Sequence, residues 1–229
     1  MEMKGLILLS GGLDSATVLG IARSENESVC AVSYDYNQRH RVELKKAEII
    51  AKNFGIEHKI IKIDFNQFGG SALTDINIDI PKNQPINDEI PITYVPARNT
   101  IFLSLALAWA ELTKSNRIYV GVNAVDYSGY PDCRPEFIDS FQRMANLATK
   151  NAIEGTPMEI KAPLIDMTKA EIITKGISLG IDYSETLSCY DPSPDGKHCG
   201  ECAACHIRLA GFKMANYEDP AKYIIRRAS

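Results

Sequence analysis

The chain is 229 residues long, enough to bury one sizeable core. Its 45% hydrophobic and 24% charged residues are an ordinary globular balance, which excludes a disordered or fibrous chain. With 25 basic against 29 acidic residues the net charge is −4, so no overall basic field draws the chain to nucleic acid, although a local patch stays open.

Met1-Glu2-Met3-Lys4 leads into the apolar run Leu6 to Leu9, which is too short for a secretory core and is broken by Ser10-Gly11-Gly12. The run reads as a buried strand. Asp14 to Gly20 then carries helix-compatible residues after capping groups. A strand entering a helix through a glycine-rich turn aims backbone N–H groups and the positive helix end at one small volume, which suits a phosphate. The turn lacks the spacer and lysine of Gly-x-x-x-x-Gly-Lys-Ser/Thr, and Asp14 would repel an anion unless it accepts loop N–H bonds or helps hold magnesium. An ordinary strand-to-helix turn capped by Asp14 is the competing reading.

Ser10-Gly11-Gly12-Leu13-Asp14-Ser15 after a first hydrophobic strand resembles the pyrophosphate loop of the N-type ATP pyrophosphatases, the PP-loop superfamily. Those enzymes cleave ATP to AMP and pyrophosphate while adenylating an oxygen. Such a loop would hold the leaving pyrophosphate, which accounts for the missing lysine.

Ser28 to Tyr34 reads as a second buried strand with Cys30 as a core residue, followed by the polar cluster Asp35 to Arg41 at its carboxyl end. Glu43 to Phe54 reads as an amphipathic helix stopped by Gly55, and His58 to Ile63 as a third strand with His58 exposed on its polar phase. Strand–helix alternation at this spacing predicts an α/β fold with a parallel sheet. Phe65 to Ile92, rich in Gly, Pro, Asn and Asp, reads as a long loop that covers or borders a site.

Ile101 to Leu112 is a strongly apolar helix, and its longest apolar stretch, Ile101 to Ala110, falls short of a membrane span. Asn99 is placed to cap that helix, whereas Arg98 is a cation at the end the dipole disfavours, which points to an anionic partner. Arg117 to Val122 reads as a fourth strand. Asn123 to Arg134, at its carboxyl end, holds tyrosines, aspartates and an arginine suited to gripping a planar heterocycle, with Cys133 in a packing role. Pro135 to Thr149 reads as a helix and Met158 to Ile160 as a short fifth strand. Thr168 and Glu171 form a capping-box pattern, with Lys169 another cation in a helix's first turn.

Cys189 with Cys199, Cys202 and Cys205 has the spacing of a four-thiolate metal site. Zinc fits a small structural clip, iron–sulfur ligation is the alternative, and His198 or His206 could replace a sulfur. The clip would tie Ser188-Cys189-Tyr190 to a helix starting near Ala203 and hold Arg208 one turn further on. Acidic residues around the cluster, among them Asp191, Asp195 and Glu201, argue against a nucleic-acid ribbon. This cysteine usage suits a reducing compartment, so a cytoplasmic protein with no membrane partner is expected.

Loop and cysteines together, with Tyr36 to His40, Val95 to Asn99 and Asp126 to Arg134, resemble the 7-cyano-7-deazaguanine synthase family from residue 5 to about 215. The resemblance implies a Rossmann-like domain of the adenine nucleotide alpha hydrolase type over 1–180, and a zinc-binding helical segment over 181–229. It implies an ATP-dependent ligase joining 7-carboxy-7-deazaguanine and free ammonia into the 7-cyano product through adenylated carboxylate and amide, in queuosine precursor biosynthesis. Mg-ATP would be the co-substrate, the zinc structural, the chain a homodimer, and nucleic acid no partner. Leu8, Leu9, Ser10, Gly11, Gly12, Leu13, Asp14, Ser15, Ala16, Thr17 and Val18, with Arg98 and Asn99, would hold the nucleotide. Asp14, Lys169 and Arg208 would be catalytic, and Tyr130, Asp132 and Arg134 would contact the deazaguanine. Another adenylating member of the superfamily, of tRNA-thiolation, lysidine or NAD synthetase type, is the alternative.

Overall fold

A computed structural model of the chain describes residues 4–26, 28–65, 69–85, 89–125 and 130–224. Strands β1 (Lys4–Leu8), β2 (Ser28–Asp35), β3 (Glu57–Lys62), β4 (Arg117–Tyr119) and β5 (Glu159–Lys161) form a fully parallel sheet in the order β3-β2-β1-β4-β5. The helices are α1 (Leu13–Glu25), α2 (Val42–Asn53), α3 (Arg98–Thr113), α4 (Pro135–Ala148), α5 (Lys150–Ile153), α6 (Lys169–Ser178) and α7 (Ala203–Met214).

Strand alternation divides the core in two. Leu6, Leu8, Cys30 and Val32 face one layer and pack with Leu103 and Ala106 of α3 and with Ile138 and Phe141 of α4. Ile7, Leu9, Val29 and Ala31 face the other, with Val18 and Leu19 of α1, Ile50 of α2, Ile172 and Ile173 of α6, and Phe212 of α7. Burial on both faces explains why the strands read as continuous apolar runs. The order reverses between β1 and β4, and ligands of open parallel sheets bind in the crevice at such a reversal, outside the carboxyl ends of the strands.

Several boundaries differ from the sequence reading. Strand β4 ends at Tyr119, although Val120 N–H still donates to Lys161 O at 2.9 Å. The helix expected over Pro135 to Thr149 stops at Ala148, because Thr149 is extended (φ −108°, ψ 142°) and its hydroxyl turns back to Ala145 O at 2.9 Å; a separate turn, α5, follows. Helix α3 begins at Arg98, after the left-handed Ala97 (φ 52°). Asn99 does not cap it; Asp132 does, its Oδ2 accepting Asn99 N–H at 2.9 Å. His58 is half-buried, not exposed, because its ring Nε2 and Ser33 Oγ meet at 2.7 Å across the sheet.

Residues 182–224 pack onto this framework. Leu187 N–H donates to Gly11 O at 2.9 Å, and a Cβ on Gly211 of α7 would run into Lys169 of α6. No helix among the described residues is long and apolar enough to cross a membrane.

Candidate functional site

The turn from β1 to α1 is held by its own hydroxyls. Ser10 Oγ and Ser15 Oγ lie 3.1 Å apart, Gly12 N–H donates to Ser10 Oγ at 3.3 Å, and Ser15 Oγ donates to Gly12 O at 3.0 Å. Gly11 takes φ +86°, and a Cβ there would collide with the Glu43 carbonyl of α2, so only glycine fits. Helix α1 has Gly12 as its N-cap with no side-chain cap, which leaves its first-turn amides to whatever occupies the space before the turn.

That space is a cavity of about 300 Å³ at the carboxyl ends of β1, β2 and β4. Ser10, Gly12, Asp14 and Ser15 line it. Lys169, first residue of α6, reaches in from its capping box: Thr168 N–H donates to Glu171 Oε2 at 2.8 Å and Glu171 N–H to Thr168 Oγ1 at 3.4 Å. The Lys169 ammonium donates to both oxygens of Asp14, at 2.7 and 2.9 Å. A cation that the helix dipole disfavours is therefore compensated across the cavity.

The same cavity carries an aromatic and cationic lining of Tyr34, Tyr36, Phe102, Tyr130 and Arg98. Tyr34 and Phe102 stack at 4.2 Å between centroids, and Tyr36 tilts against Phe102 at 5.3 Å. Burial opposes the charge of Arg98, but Tyr36, Tyr130, Cys133 and Asp132 around it reverse that and raise its pKa, so the guanidinium stays charged. Thr93, from the end of the long loop, meets Tyr130 OH at 2.9 Å, and Tyr190 OH lies 3.4 Å from Tyr130 OH. Leu73 of that loop also lines the cavity, so the loop borders it, as its composition indicates.

The residues singled out from sequence divide by position. Leu8, Leu9, Ser10, Gly12, Leu13, Asp14, Ser15, Arg98, Asn99, Tyr130, Lys169 and Arg208 line the cavity. Gly11 sits behind it against α2, while Ala16, Thr17 and Val18 turn into the core, Thr17 bonding Tyr183 OH at 2.7 Å. Asn99 donates to Asp132 O and Cys133 Sγ at 3.0 and 3.3 Å, so it clamps the 130–134 segment. Asp132 is buried in capping α3, and Arg134 is exposed at the N-cap of α4; neither lines the cavity. Asp126 to Gly129 of the same motif lie outside the described residues. Burial pushes the Cys133 thiol up to about 12, which suits packing and not nucleophilic attack.

Arg208 departs most from expectation. It is 1% exposed, and each of its N–H donors has a partner: Nε and one terminal nitrogen on Asp219 at 2.9 Å each, with Tyr183 O at 3.0 Å, Thr186 Oγ1 at 2.7 Å and Ser188 Oγ at 3.5 Å. Its guanidinium knits residues 183–188 to 219 and is not poised for a phosphate.

Cys189, Cys199, Cys202 and Cys205 are all buried, with their sulfurs within 4.8 Å of one another. Cys189 to Cys202 is 4.0 Å and Cys199 to Cys205 is 3.9 Å, close to the edge of about 3.8 Å that a tetrahedron with metal–sulfur bonds of about 2.3 Å requires. Backbone N–H groups of Asp191 and Cys199 donate to Cys189 Sγ at 3.3 and 3.2 Å, and those of Glu201 and Cys202 to Cys199 Sγ at 3.4 and 3.3 Å. Sulfurs that accept N–H bonds are prepared to be thiolates, so the four residues fit a metal ion. His198 does not join them: its Nε2 accepts Ser188 N–H at 3.2 Å, and burial lowers its pKa to about 4. Cys189 and Tyr190 also line the cavity, and Tyr190 N–H donates to Cys202 Sγ at 3.5 Å.

Sequence reasoning gave no site role to Glu43, Gln38, His40, Tyr190 or Ser188, all of which line the cavity. Tyr36 to His40 reads as a polar cluster after a strand and as part of the family resemblance, with no role given to its members, and Glu43 only as the start of an amphipathic helix. An acid in a helix's first turn is so ordinary that nothing in its neighbourhood separates it from a dipole partner.

A family model described as queuosine biosynthesis protein QueC matches residues 4–216. A curated 7-cyano-7-deazaguanine synthase from Desulfatibacillum aliphaticivorans is 58% identical over 226 residues, covering 96% of this chain and 97% of that protein. A synthase of the same name from Stutzerimonas stutzeri is 56% identical over 223 residues, covering 97% of this chain and 99% of its own length. Among solved structures, NMN synthetase from Francisella tularensis superposes with a TM-score of 0.51 at 15% identity, covering 95% of this chain and 78% of that one, a likeness of fold alone.

Proposed function

Because the chain belongs to the queuosine biosynthesis protein QueC family, we propose that its cavity performs the reaction its relatives are named for, forming 7-cyano-7-deazaguanine from the 7-carboxy compound, ammonia and ATP. The observation that carries the site assignment is the convergence of the hydroxyl-tied turn Ser10 to Ser15 with the Lys169–Asp14 pair on one cavity at the sheet's reversal.

A carboxylate is a poor acylating agent until one oxygen bears a good leaving group. Attack of that oxygen on the α-phosphorus of ATP expels pyrophosphate and leaves an acyl adenylate. The turn and the first amides of α1 receive the departing diphosphate, with Ser10 and Ser15 hydroxyls beside them. Lys169 neutralises charge there, and Asp14 is the carboxylate offered to the magnesium that accompanies ATP. Ammonia then displaces AMP to give the amide, and a second adenylation on the amide oxygen with loss of AMP gives the nitrile. The ring pair Tyr36 and Phe102, with Tyr130 and the cation Arg98, suits a planar heterocycle and its carboxylate. Asp132 acts at one remove, its carboxylate and carbonyl tying the 130–134 segment to the start of α3.

Zinc is the proposed occupant of Cys189, Cys199, Cys202 and Cys205, supported by the sulfur spacing. With four protein ligands its role would be structural: Cys189, Cys199, Cys202 and Cys205 would hold it so that Ser188 to Tyr190 are fixed against α7. The functional division is a nucleotide-binding part over 1–180 and a metal-bound part over 181–229 that closes the cavity. Exposed Leu112, Leu147 and Ile153, on the neighbouring ends of α3, α4 and α5, support a homodimer. The acidic balance supports small-molecule partners over nucleic acid, and a cytoplasmic location follows from a biosynthetic role.

Incubation with 7-carboxy-7-deazaguanine, ATP and ammonium, with AMP and ADP resolved by chromatography, tests the reading. Nitrile with AMP and pyrophosphate is expected; ADP formation would defeat it.

A further inference from the structure

We infer that Glu43 is the general base that removes protons from the incoming nitrogen in both halves of the reaction. The inference rests on the functional reading above. Glu43 stands in the first turn of α2, lines the cavity, and packs against the pyrophosphate turn so closely that its carbonyl excludes a Cβ from Gly11. Among the described residues, the carboxylates that line the cavity are Asp14 and Glu43. Lys169 bonds both oxygens of Asp14, whereas Glu43 accepts one neutral bond, from Gln38 Nε2 to Oε1 at 2.9 Å, and no described residue donates to Oε2.

Gln38 is anchored in turn, its Oε1 accepting Tyr36 N–H at 2.9 Å and its Nε2 reaching Tyr34 O at 3.4 Å, so the carboxylate is held in place and one oxygen is left for a ligand. The charged and titratable groups that act on it are Arg98 from α3 and the hydroxyl of Tyr36 from the segment after β2. On its own side of the cavity, Arg39 donates to Ile78 O at 2.9 Å, and His40 Nε2 lies 3.5 Å from Asp191. Burial pushes the Glu43 carboxyl up to about 7, against the Gln38 bond and the Arg98 charge. A carboxyl in that range both takes and releases a proton near neutrality, which is what base catalysis at one nitrogen requires.

The protons balance. In the first half the nitrogen of ammonia bonds the acyl carbon, the carbon–oxygen bond to AMP breaks, AMP leaves with the electron pair, and one N–H proton passes to Glu43 and on to solvent. In the second half the amide oxygen bonds phosphorus and pyrophosphate leaves. The nitrogen then gives up two protons in turn, the second as the carbon–oxygen bond to AMP breaks and the triple bond closes. No oxidant or reductant is needed. Adenylation itself requires no base at this position, because the attacking carboxylate is already ionised.

The test separates the two layers. Exchange of labelled pyrophosphate into ATP, with 7-carboxy-7-deazaguanine and no ammonia, reads adenylation alone, and failure of wild-type enzyme to exchange would sink the functional reading. Given wild-type exchange, Glu43→Gln is expected to keep exchange within about threefold while nitrile formation from the synthetic amide falls about a hundredfold or more in kcat, with little change in KM. Starting from the amide removes the titration of ammonium from the pH profile. The wild-type rate should rise as pH increases through the Glu43 pKa, and the variant should lose that limb. Gln38→Leu, which deletes the bond favouring the ionised form, should move the limb to higher pH. Because an ionised buried carboxylate disfavours the folded state above its unfolded pKa, Glu43→Gln should also melt higher than wild type at pH 8. A variant that retains the limb, a loss confined to KM, an equal loss of exchange, or loss of the limb in His40→Asn instead would each overturn the assignment.

Discussion

Two cation–carboxylate pairs, Lys169–Asp14 and Arg208–Asp219, look alike in sequence and differ entirely in the folded chain. Both cations stand in or near the amino-terminal half of a helix, where the dipole disfavours them, and both invite the same reading as phosphate contacts. Lys169 and Arg208 both border the cavity, but the side chains of the first pair are 9% and 28% exposed, whereas those of the second are 1% and 5% exposed and every guanidinium donor is occupied. An ion pair beside water can exchange its partner for a ligand. One whose cation has every donor committed can only be kept or broken.

The largest effect should come from breaking the sealed pair. Arg208→Met strands Asp219 and also removes the bonds to Tyr183 O and Thr186 Oγ1, and loss of one partner of a buried pair costs about 3 to 5 kcal/mol. Urea unfolding should show a drop of that size. A variant as stable as wild type but unable to release pyrophosphate would return Arg208 to the reaction and erase the contrast.

Asp14→Ala should behave in the opposite way. Loss of one charged group from a phosphate site costs about a hundredfold to a thousandfold in rate, whereas Lys169 keeps access to the cavity, so stability should move by no more than about 1 kcal/mol. AMP formation would measure the first and urea unfolding the second. Bound metal should stay near one equivalent per chain, because Cys189, Cys199, Cys202 and Cys205 hold their places without Asp14.

The contrast also shows what the sequence could carry. Local chemistry was legible: the parallel α/β order from strand–helix alternation, the turn from Ser10-Gly11-Gly12, the capping box from Thr168 and Glu171, and the cysteine cluster from ligand spacing. What stayed hidden depends on partners brought together by the fold. Asp132 caps a helix through an amide 33 residues earlier in the chain, Ser33 recruits His58 from the neighbouring strand, and Arg208 is closed off by Asp219 from the segment after α7. Glu43 is the sharpest case, because only the approach of Gly11 and the nearness of Arg98 separate it from any other first-turn acid.

Gly211 links the two pairs, since it lies on the helix of Arg208 and abuts the stem of Lys169. Gly211→Ala would push Lys169 away from its place, at an overpacking cost of about 1 to 3 kcal/mol. The strain should appear on the open side: the KM for ATP should rise with Lys169 displaced, while Arg208 keeps its bonds. An unchanged KM with the full loss of stability would mean that α7 had moved instead, and that the pairs are mechanically one unit.

The smallest effect is a pH dependence, and it belongs to the sealed pair. Burial alone would raise the Asp219 carboxyl, but its hydrogen bonds and charge interaction with Arg208, aided by Tyr223 and the Ala221 amide, hold it below the usual carboxylate range. A carboxyl depressed in the folded state contributes stability that is fully present above its unfolded pKa, near 3.9, and that fades as pH falls through the folded value. Urea midpoints should therefore decline between pH 5 and pH 3 more steeply in wild type than in Asp219→Asn, which has no proton to take up there. In Arg208→Met the uncompensated Asp219 is expected to rise above its unfolded pKa, so its contribution changes sign and acidification relieves part of the damage. Parallel slopes for all three proteins would show that Arg208 and Asp219 are not coupled, and that the guanidinium is held by Tyr183, Thr186 and Ser188 alone.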